Sequence, residues 1–291
     1  MLANSLSELP EYRLVLANLI ARDLKVKYQD KSLGFLWSLL APAVIIGVLY
    51  LVFSSRTFRV DMPDYWAFLI AGILPFQFMQ ESIVGGANSI RASAGLIRKI
   101  YVPMEILVIA AVAVRAIEFV LQMVLAVVLL LALHRSPSTV EVPPGGAPPP
   151  VHGPIVMDPF KTAVVLPGAI ALTCVFVLGV ALPLSAWCVI YKDLDHIVQI
   201  AMRVLFYGTP VFWPLWLLQG RPWMHWMALN PFMDLLALYR GPLYWGTWPF
   251  NEATGGGAMT AWGVATLFAV VALVAGYALF NRSKRILAEV V

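Results

Sequence analysis

Six long runs of apolar residues dominate the hydrophobic pattern of the chain. Each is roughly 20 residues or longer, the length that an α-helix needs to cross a hydrocarbon core of about 30 Å. The pattern therefore predicts an all-α polytopic membrane protein with six transmembrane helices. The runs lie at about 33–54, 65–88, 104–133, 162–190, 197–218 and 258–280.

Residues 8–30 predict a helix that does not span the membrane. It has one apolar and one basic face, and a span follows directly. Such a helix is expected to lie along the inner membrane surface as an N-terminal amphipathic interface helix, residues 1–32, before a transmembrane domain at 33–291. Plain anchoring and docking of another protein are both compatible with this pattern. The apolar stripe comprises Tyr12, Val15, Leu16, Leu19, Ile20 and Leu24.

Basic residues outside the predicted spans predict the orientation of the chain. Alternate segments carry twelve and six of them, and the positive-inside rule places the richer set, with both termini, in the cytoplasm. The richer set is Arg13, Arg22, Lys25, Lys27, Lys31, Arg91, Arg98, Lys99, Lys192, Arg282, Lys284 and Arg285. The other set is Arg56, Arg59, Arg135, Lys161, Arg221 and Arg240.

Two connections stand out on the predicted outer side. Residues 134–160 carry eight prolines and no apolar periodicity, which predicts an extended, solvated loop. Residues 219–257 combine several tryptophans and tyrosines with the turn signals Asn230-Pro231 and Gly241-Pro242. This second pattern predicts two short amphipathic helices between the fifth and sixth spans that dip into the outer membrane interface.

Composition excludes a soluble domain and a nucleic-acid-binding protein. Of the 291 residues, 60% are hydrophobic and 12% are charged, against about 25% charged in soluble domains. The net charge of +4 comes from basic residues at the ends of apolar runs, where membrane orientation requires them. Cys174 and Cys188 are expected to remain free, because fourteen helical residues separate them by roughly 21 Å.

No motif for catalysis, metal binding or nucleotide binding is present. The chain has no Gly-Lys dipeptide and therefore no P-loop, and its four histidines are scattered without metal-ligand spacing. We therefore expect the chain to hold no cofactor and to hydrolyse no ATP itself.

Charged residues inside the predicted spans need a partner or a function, because each costs roughly 2.5–3.5 kcal/mol at a helix centre. Arg115 and Glu118 are three residues apart on one helical face and are expected to neutralise each other, although a substrate contact is an alternative. Arg203 is expected to extend toward the inner interface. Glu81 has no partner in its own helix.

Six of the ten tryptophans lie between Trp213 and Trp248. An aromatic belt at the lipid headgroups explains this distribution. Stacking against sugar rings is the alternative, since flat aromatic faces suit a sliding polymer.

Several motifs resemble one known family, and they occur in its order along nearly the whole chain. The first resemblance is at residues 22–28 (RDLKVKY) and 32–37 (SLGFLW), and the next at 68–76 (FLIAGILPF) and 96–103 (LIRKIYVP). Later matches are YKDLDHI at 191–197, YGTPVFWP at 207–214 and LNP at 229–231. Together they resemble the type-2 ABC permeases that export polysaccharides such as O-antigen, teichoic acid and capsule. The loop at 134–160 is longer than this family usually carries.

The resemblance implies a half-transporter in the bacterial inner membrane. It would pair with a second copy and with two copies of a P-loop ATPase, which would bind ATP and Mg, and it would export a lipid-linked glycan. Residues 89–103 and 191–196 would couple to the ATPase, although 89–103 could also be an ordinary basic loop. The expected coupling residues are Arg91, Leu96, Ile97, Arg98, Lys99, Tyr101, Tyr191, Lys192 and Asp193.

Within that framework two further groups of residues are expected to contact substrate. Aromatic residues of the first span, and those of the fifth span around the backbone breaks at Pro210 and Pro214, predict the channel lining: Trp37, Tyr50, Phe53, Phe206, Tyr207, Phe212, Trp213 and Trp216. Basic residues beside the first span predict a lipid headgroup site, with pure orientation as the alternative: Arg22, Lys25, Lys27 and Lys31. Export of a small lipid or drug and a membrane enzyme acting on lipid-linked sugars are the competing functions.

Overall fold

The computed structural model describes residues 12–29, 36–54, 62, 64–97, 102–133, 157–218, 221, 226–227, 229–251 and 255–290. Its regular elements are all helical within these ranges. We number the α-helices in chain order. They are α1 (Arg13–Tyr28), α2 (Leu36–Ser54), α3 (Tyr65–Ala92), α4 (Ala94–Ile97), α5 (Met104–Ala132), α6 (Pro159–Ile190), α7 (Leu194–Gly208), α8 (Pro231–Arg240) and α9 (Ala258–Val290).

Five helices, α2, α3, α5, α6 and α9, are long and apolar enough to cross a membrane. The protein is therefore a multi-pass membrane protein. Most of the Pro-rich loop predicted at 134–160 lies outside the described residues. Cys174 and Cys188 are both free, as their spacing predicts.

Helix α3 forms the centre of the bundle and packs against α5 and α6. Phe68, Phe76 and Phe119 are all but completely buried there. The two ends of α3 define the two ends of the bundle, which we call the Tyr65 end and the Ala92 end.

Helices α6 and α9 make the closest backbone approach in the described structure. A Cβ atom on Gly276 would lie 1.8 Å from the carbonyl oxygen of Gly179, so only glycine fits there. The absence of side chains at these two positions lets the helices pack backbone against backbone, a frequent arrangement in membrane proteins.

Helix α2 lies at the edge of the bundle. Most of its large apolar side chains, Trp37, Val44 and Leu51 among them, are exposed. One polar contact attaches it to α5, where the Gln122 amide donates to the carbonyl oxygen of Ser38 over 2.8 Å.

The fifth predicted span, 197–218, is not one long helix. Helix α7 ends at Gly208, and Thr209 has extended backbone with ψ of 143°. The cause is Pro210, which has no N–H to continue the helix and forces the preceding residue out of the helical region. The chain nevertheless follows α3 along its length: Asp195 contacts Arg91 near the Ala92 end, and the Phe212 carbonyl accepts a hydrogen bond from Tyr65.

The segment predicted as short amphipathic gate helices differs from that expectation. Helix α8 begins with Asn230 as its N-cap, whose side chain accepts from the Phe232 N–H, and continues as a π-helical turn, Gly241–Trp245. All residues from Phe232 to Trp245 are buried, so this helix has no face left for a membrane interface. The π turn accommodates Pro242 without ending the helix.

Candidate functional site

A cluster of charged residues lies among α1, α3 and α5. The Glu118 carboxylate is only 4% exposed and accepts from Lys27 Nζ over 2.7 Å and from Arg115 Nη1 over 3.1 Å. The Tyr28 hydroxyl also donates to it. The predicted Arg115–Glu118 pair is thus confirmed, and it belongs to a larger network that attaches α1 to the bundle.

Glu81 has a partner that its own helix does not provide. Its carboxylate lies 3.3 Å from Arg115 Nη1, and it accepts a 2.9 Å hydrogen bond from the Gln77 amide. As expected from the sequence, no charged partner of Glu81 lies on α3 itself; its ion-pair partner, Arg115, lies on α5. Arg115 therefore bridges two carboxylates from two helices.

The apolar stripe of α1 packs against the protein itself. Leu19 is buried with Ile106, Leu107 and Ala110 of α5, and Leu16 and its stripe neighbours pack around them. The helix thus uses its predicted apolar face to contact α5.

Four of the predicted channel aromatics form one group of rings. Phe206 lies 5.2 Å from Tyr207 and 5.5 Å from Phe212, and Phe53 of α2 lies 5.7 Å from Phe212, all between ring centroids. The Trp213 indole joins them through a 3.2 Å hydrogen bond to the Tyr207 carbonyl. Tyr207 is the most exposed member, at 67%. The group marks the place where α7 breaks beside the end of α2.

The remaining predicted channel residues lie elsewhere. Trp37 and Tyr50 are exposed on α2 without a ring contact in the described part of the chain, and Trp216 packs against the core.

The two predicted coupling elements meet at the Ala92 end. Arg91 at the end of α3 donates to the Asp195 carboxylate over 2.8 Å and to the Lys192 carbonyl over 3.4 Å. Tyr191 is 64% exposed beside them, whereas Leu96 and Ile97 are half-buried against the α1–α5 contact. Arg98, Lys99 and Tyr101 lie outside the described residues. The exposed apolar side chain of this surface is therefore Tyr191.

Arg240 holds the broken end of α7 in place. Its guanidinium is buried at 1% exposure and donates to the carbonyls of Pro210 and Val211, the latter over 3.0 Å. It also stacks over the Phe68 ring at 4.2 Å. Arg240 lies outside the five candidate spans, as the sequence predicts, but its side chain is buried in the protein.

Comparison with known proteins identifies the family of the chain. Residues 15–244 match the family described as ABC-2 type transporter. The chain belongs to this family. The O-antigen export system permease protein RfbA of Myxococcus xanthus is 31% identical over 238 residues, which cover 81% of this chain and 83% of that protein. A Klebsiella pneumoniae protein of the same name is 24% identical over 270 residues, 92% of each chain.

The predicted headgroup residues of this ABC-2 protein are dispersed. Lys27 forms an ion pair with Glu118, Arg22 forms one with Asp23 over 2.7 Å, and Lys25 is exposed. Lys31 lies outside the described residues. Within the described chain, Arg22 and Lys27 border one cavity together.

Sequence reasoning missed one buried acid of the ABC-2 chain. Asp234 of α8 is 2% exposed, accepts a 2.8 Å hydrogen bond from the Asn251 amide, and leaves its Oδ2 without a hydrogen bond among the described residues. Burial raises the pKa of this carboxyl to about 7. The spacing of apolar residues in 231–240 is the signal that could have indicated that Asp234 is buried, but the segment was predicted to lie at the membrane interface.

We expect the contribution of Asp234 to the stability of the ABC-2 protein to fall as pH rises from about 4 to 7. An unfolded Asp ionises near pH 3.9, so across this window the folded state holds a proton at Asp234 that the unfolded state has lost. The thermal midpoint of the wild type in detergent, compared with that of Asp234→Asn, should therefore shift downward over this range. An identical pH slope in the variant would contradict this assignment.

Proposed function

We propose that this chain is the permease subunit of an ATP-driven exporter that moves a lipid-linked polysaccharide out of the cytoplasm. The observation that carries the proposal is the similarity to O-antigen export permeases along nearly the whole length of both chains. These relatives favour a polysaccharide over the small lipid or drug considered from sequence. We assign no enzymatic activity to the chain, and ATP hydrolysis belongs to a separate subunit that binds ATP and Mg.

The proposed topology has six crossings of the bacterial inner membrane, with both termini in the cytoplasm. The fifth crossing is made by α7 together with the non-helical residues after Gly208. Two contacts support this crossing: Asp195 binds Arg91 at the Ala92 end of α3, and the Phe212 carbonyl accepts a hydrogen bond from Tyr65 at the Tyr65 end. The excess of basic residues in the predicted inner segments supports the orientation. Helix α1 is the proposed interface helix at the inner side.

The proposed transporter contains two copies of this chain. The exposed apolar side chains of α2 and the exposed Tyr207 of α7 support a second copy on that side of the bundle, since the glycan path would form between the copies. The ring group at Phe53, Phe206, Tyr207 and Phe212 is then the aromatic lining of the path, with Trp213 beside it.

The proposed ATPase contact is the surface where Arg91, Tyr191, Lys192 and Asp193 meet. These residues join the end of α3 to the start of α7, so a partner bound there would act on both helices at once. A large exposed aromatic side chain such as Tyr191 is a typical anchor of a protein interface.

We expect Tyr191→Ala to weaken association with the ATPase subunit about tenfold, the effect of losing an anchor worth ~1.4 kcal/mol. Titration of the purified ATPase against the permease in lipid nanodiscs measures this affinity. The control is Trp226→Ala, which removes an equally exposed aromatic side chain, 71% exposed, far along the chain from this surface. Equal affinities for Tyr191→Ala and wild type would contradict the proposed contact.

The proposed function itself is tested by copurification and deletion. An affinity-tagged chain should copurify with a P-loop ATPase from detergent extracts of its own cells. Deleting the chain should cause polysaccharide to accumulate in the cytoplasm, and re-expression should restore export. Normal surface polysaccharide in the deletion strain would refute the proposal.

A further inference from the structure

Two cavities lie next to each other beside the charged cluster and share part of their walls. The first, of about 530 Å³, lies among α1, α3 and α5, and the second, of about 330 Å³, lies among α3, α5 and α7. Gly85 and Arg115 line both cavities. We call the two together the α3 groove.

The two halves of the α3 groove differ in chemistry. The wall of the first is largely apolar, with Val26, Leu107 and Val114, and the charged residues Arg22, Asp23 and Lys27 line its α1 side. The second is lined by two arginines, one carboxylate and three side-chain amides: Arg115, Arg203, Glu81, Gln80, Asn88 and Gln199. A ligand that fills both halves has an apolar part and a polar part.

The polar half carries one cation in excess. Arg115 is balanced by Glu81, and Glu118 is balanced by Lys27. Arg203 is exposed, has no ion pair or side-chain hydrogen bond among the described residues, and lines the cavity. Arginine forks and amide N–H groups are the donors that bind phosphate oxygens.

The charges lie at one depth in the bundle. Glu81 and Arg115 are each eleven residues from the Ala92-end terminus of their helix, roughly 16 Å. Arg203 is nine residues from the start of α7, roughly 14 Å. Charged groups inside membrane-spanning helices are costly without a partner or a function, and Arg203 is the one of these three without an ion pair among the described residues.

We infer that the α3 groove binds a phosphorylated lipid, with the phosphate or diphosphate on Arg203 and Arg115 and the hydrocarbon along the apolar wall. This inference rests on the proposed function, because it names the lipid end of the exported substrate as the ligand. It places the headgroup on α5 and α7, whereas the sequence prediction placed it on α1.

Gly85 lies where the two halves of the α3 groove meet. A Cβ atom there would lie 3.8 Å from Arg115 Nε, an ordinary van der Waals distance. Gly85→Ala is therefore tolerated at this contact, whereas the longer side chain in Gly85→Leu has to project into the junction. Comparing Gly85→Leu with Gly85→Ala therefore distinguishes the effect of blocking the groove from the effect of losing a glycine in α3.

The test measures binding of a polyprenyl diphosphate to the permease–ATPase complex in nanodiscs, by native mass spectrometry. We expect Arg203→Gln and Gly85→Leu to weaken binding roughly tenfold or more, as expected for loss of a charge-assisted hydrogen bond. Gly85→Ala should bind as wild type does. The control for charge alone is Arg221→Gln, which removes an exposed arginine elsewhere on the chain.

Two competitors distinguish the sources of phosphate. Phosphatidylglycerol competing as well as the polyprenyl diphosphate would overturn the substrate assignment in favour of a general lipid site. Inorganic pyrophosphate displacing the lipid completely would overturn the apolar half of the inference. Weak competition by both phosphatidylglycerol and inorganic pyrophosphate would support the inference.

The inference and the proposed function fail separately. Wild-type binding and export by Arg203→Gln, in cells where deletion of the chain stops export, would overturn only the inference. Normal export in the deletion strain would refute the proposed function, whatever the binding result.

Discussion

Replacing Arg240 by methionine is expected to lower the stability of the folded protein by several kcal/mol. The guanidinium satisfies the carbonyls of Pro210 and Val211, which the break in α7 leaves without helical partners. Methionine fills similar space but donates no hydrogen bond, so two buried acceptors lose their donor at about 1–3 kcal/mol each. Lysine, with one compact donor group, should restore part of the loss.

The surroundings of Arg240 leave little room for repair by rearrangement. Gly72 lies directly beneath it: a Cβ there would be 3.2 Å from Arg240 Nη2 and 2.2 Å from the Val211 oxygen. Thermal unfolding in detergent measures the effect, with Arg221→Met as the control at an exposed arginine. A midpoint for Arg240→Met equal to that of Arg221→Met would show that the carbonyls find other partners.

Gly276→Ala is expected to destabilise the protein by about 3 kcal/mol or more, the upper range for forcing atoms into a packed core. The new methyl group would lie 1.8 Å from the Gly179 oxygen, which is backbone and cannot turn aside. Helices α6 and α9 would have to separate along their contact. A Cβ on Gly179 would lie 2.4 Å from the backbone of Ala272, so Gly179→Ala should destabilise the protein to a similar extent.

Gly263 provides a control in the same helix. A Cβ there has nothing within 4 Å, and Gly263→Ala is therefore expected to be neutral or to stabilise α9 by up to ~1 kcal/mol through helix propensity. The two alanine variants should thus shift the thermal midpoint in opposite directions or by clearly different amounts. Equal shifts would show that the close approach at Gly276 does not exist in the membrane protein.

The long helices were predictable because hydrophobic length is a local property. Helices α2, α3, α5, α6 and α9 begin within three residues of the apolar runs that predict them, and α9 continues ten residues past its predicted end. The early end of α7 was also encoded locally, in Thr209-Pro210, but the apolar run continues past the proline and concealed it.

Contacts between distant residues explain what sequence reasoning missed. Arg115 and Glu118 are one helical turn apart, so their pairing follows from spacing alone, whereas Glu81 finds Arg115 only after α3 packs against α5. Arg240 looks like an ordinary loop cation until Pro210 creates carbonyls for it to bind. The ring contact of Phe53 with Phe212 likewise depends on where α2 meets the end of α7.

The backbone contact between Gly179 and Gly276 has a mechanical consequence. At this contact no side chain lies between α6 and α9 to absorb sliding, so we expect the two helices to move together. Helices α2 and α7 differ from them, because both expose many large apolar side chains among the described residues. Opening of the protein during a transport cycle should therefore take place as displacement of α2 and α7 against a stationary α6–α9 frame.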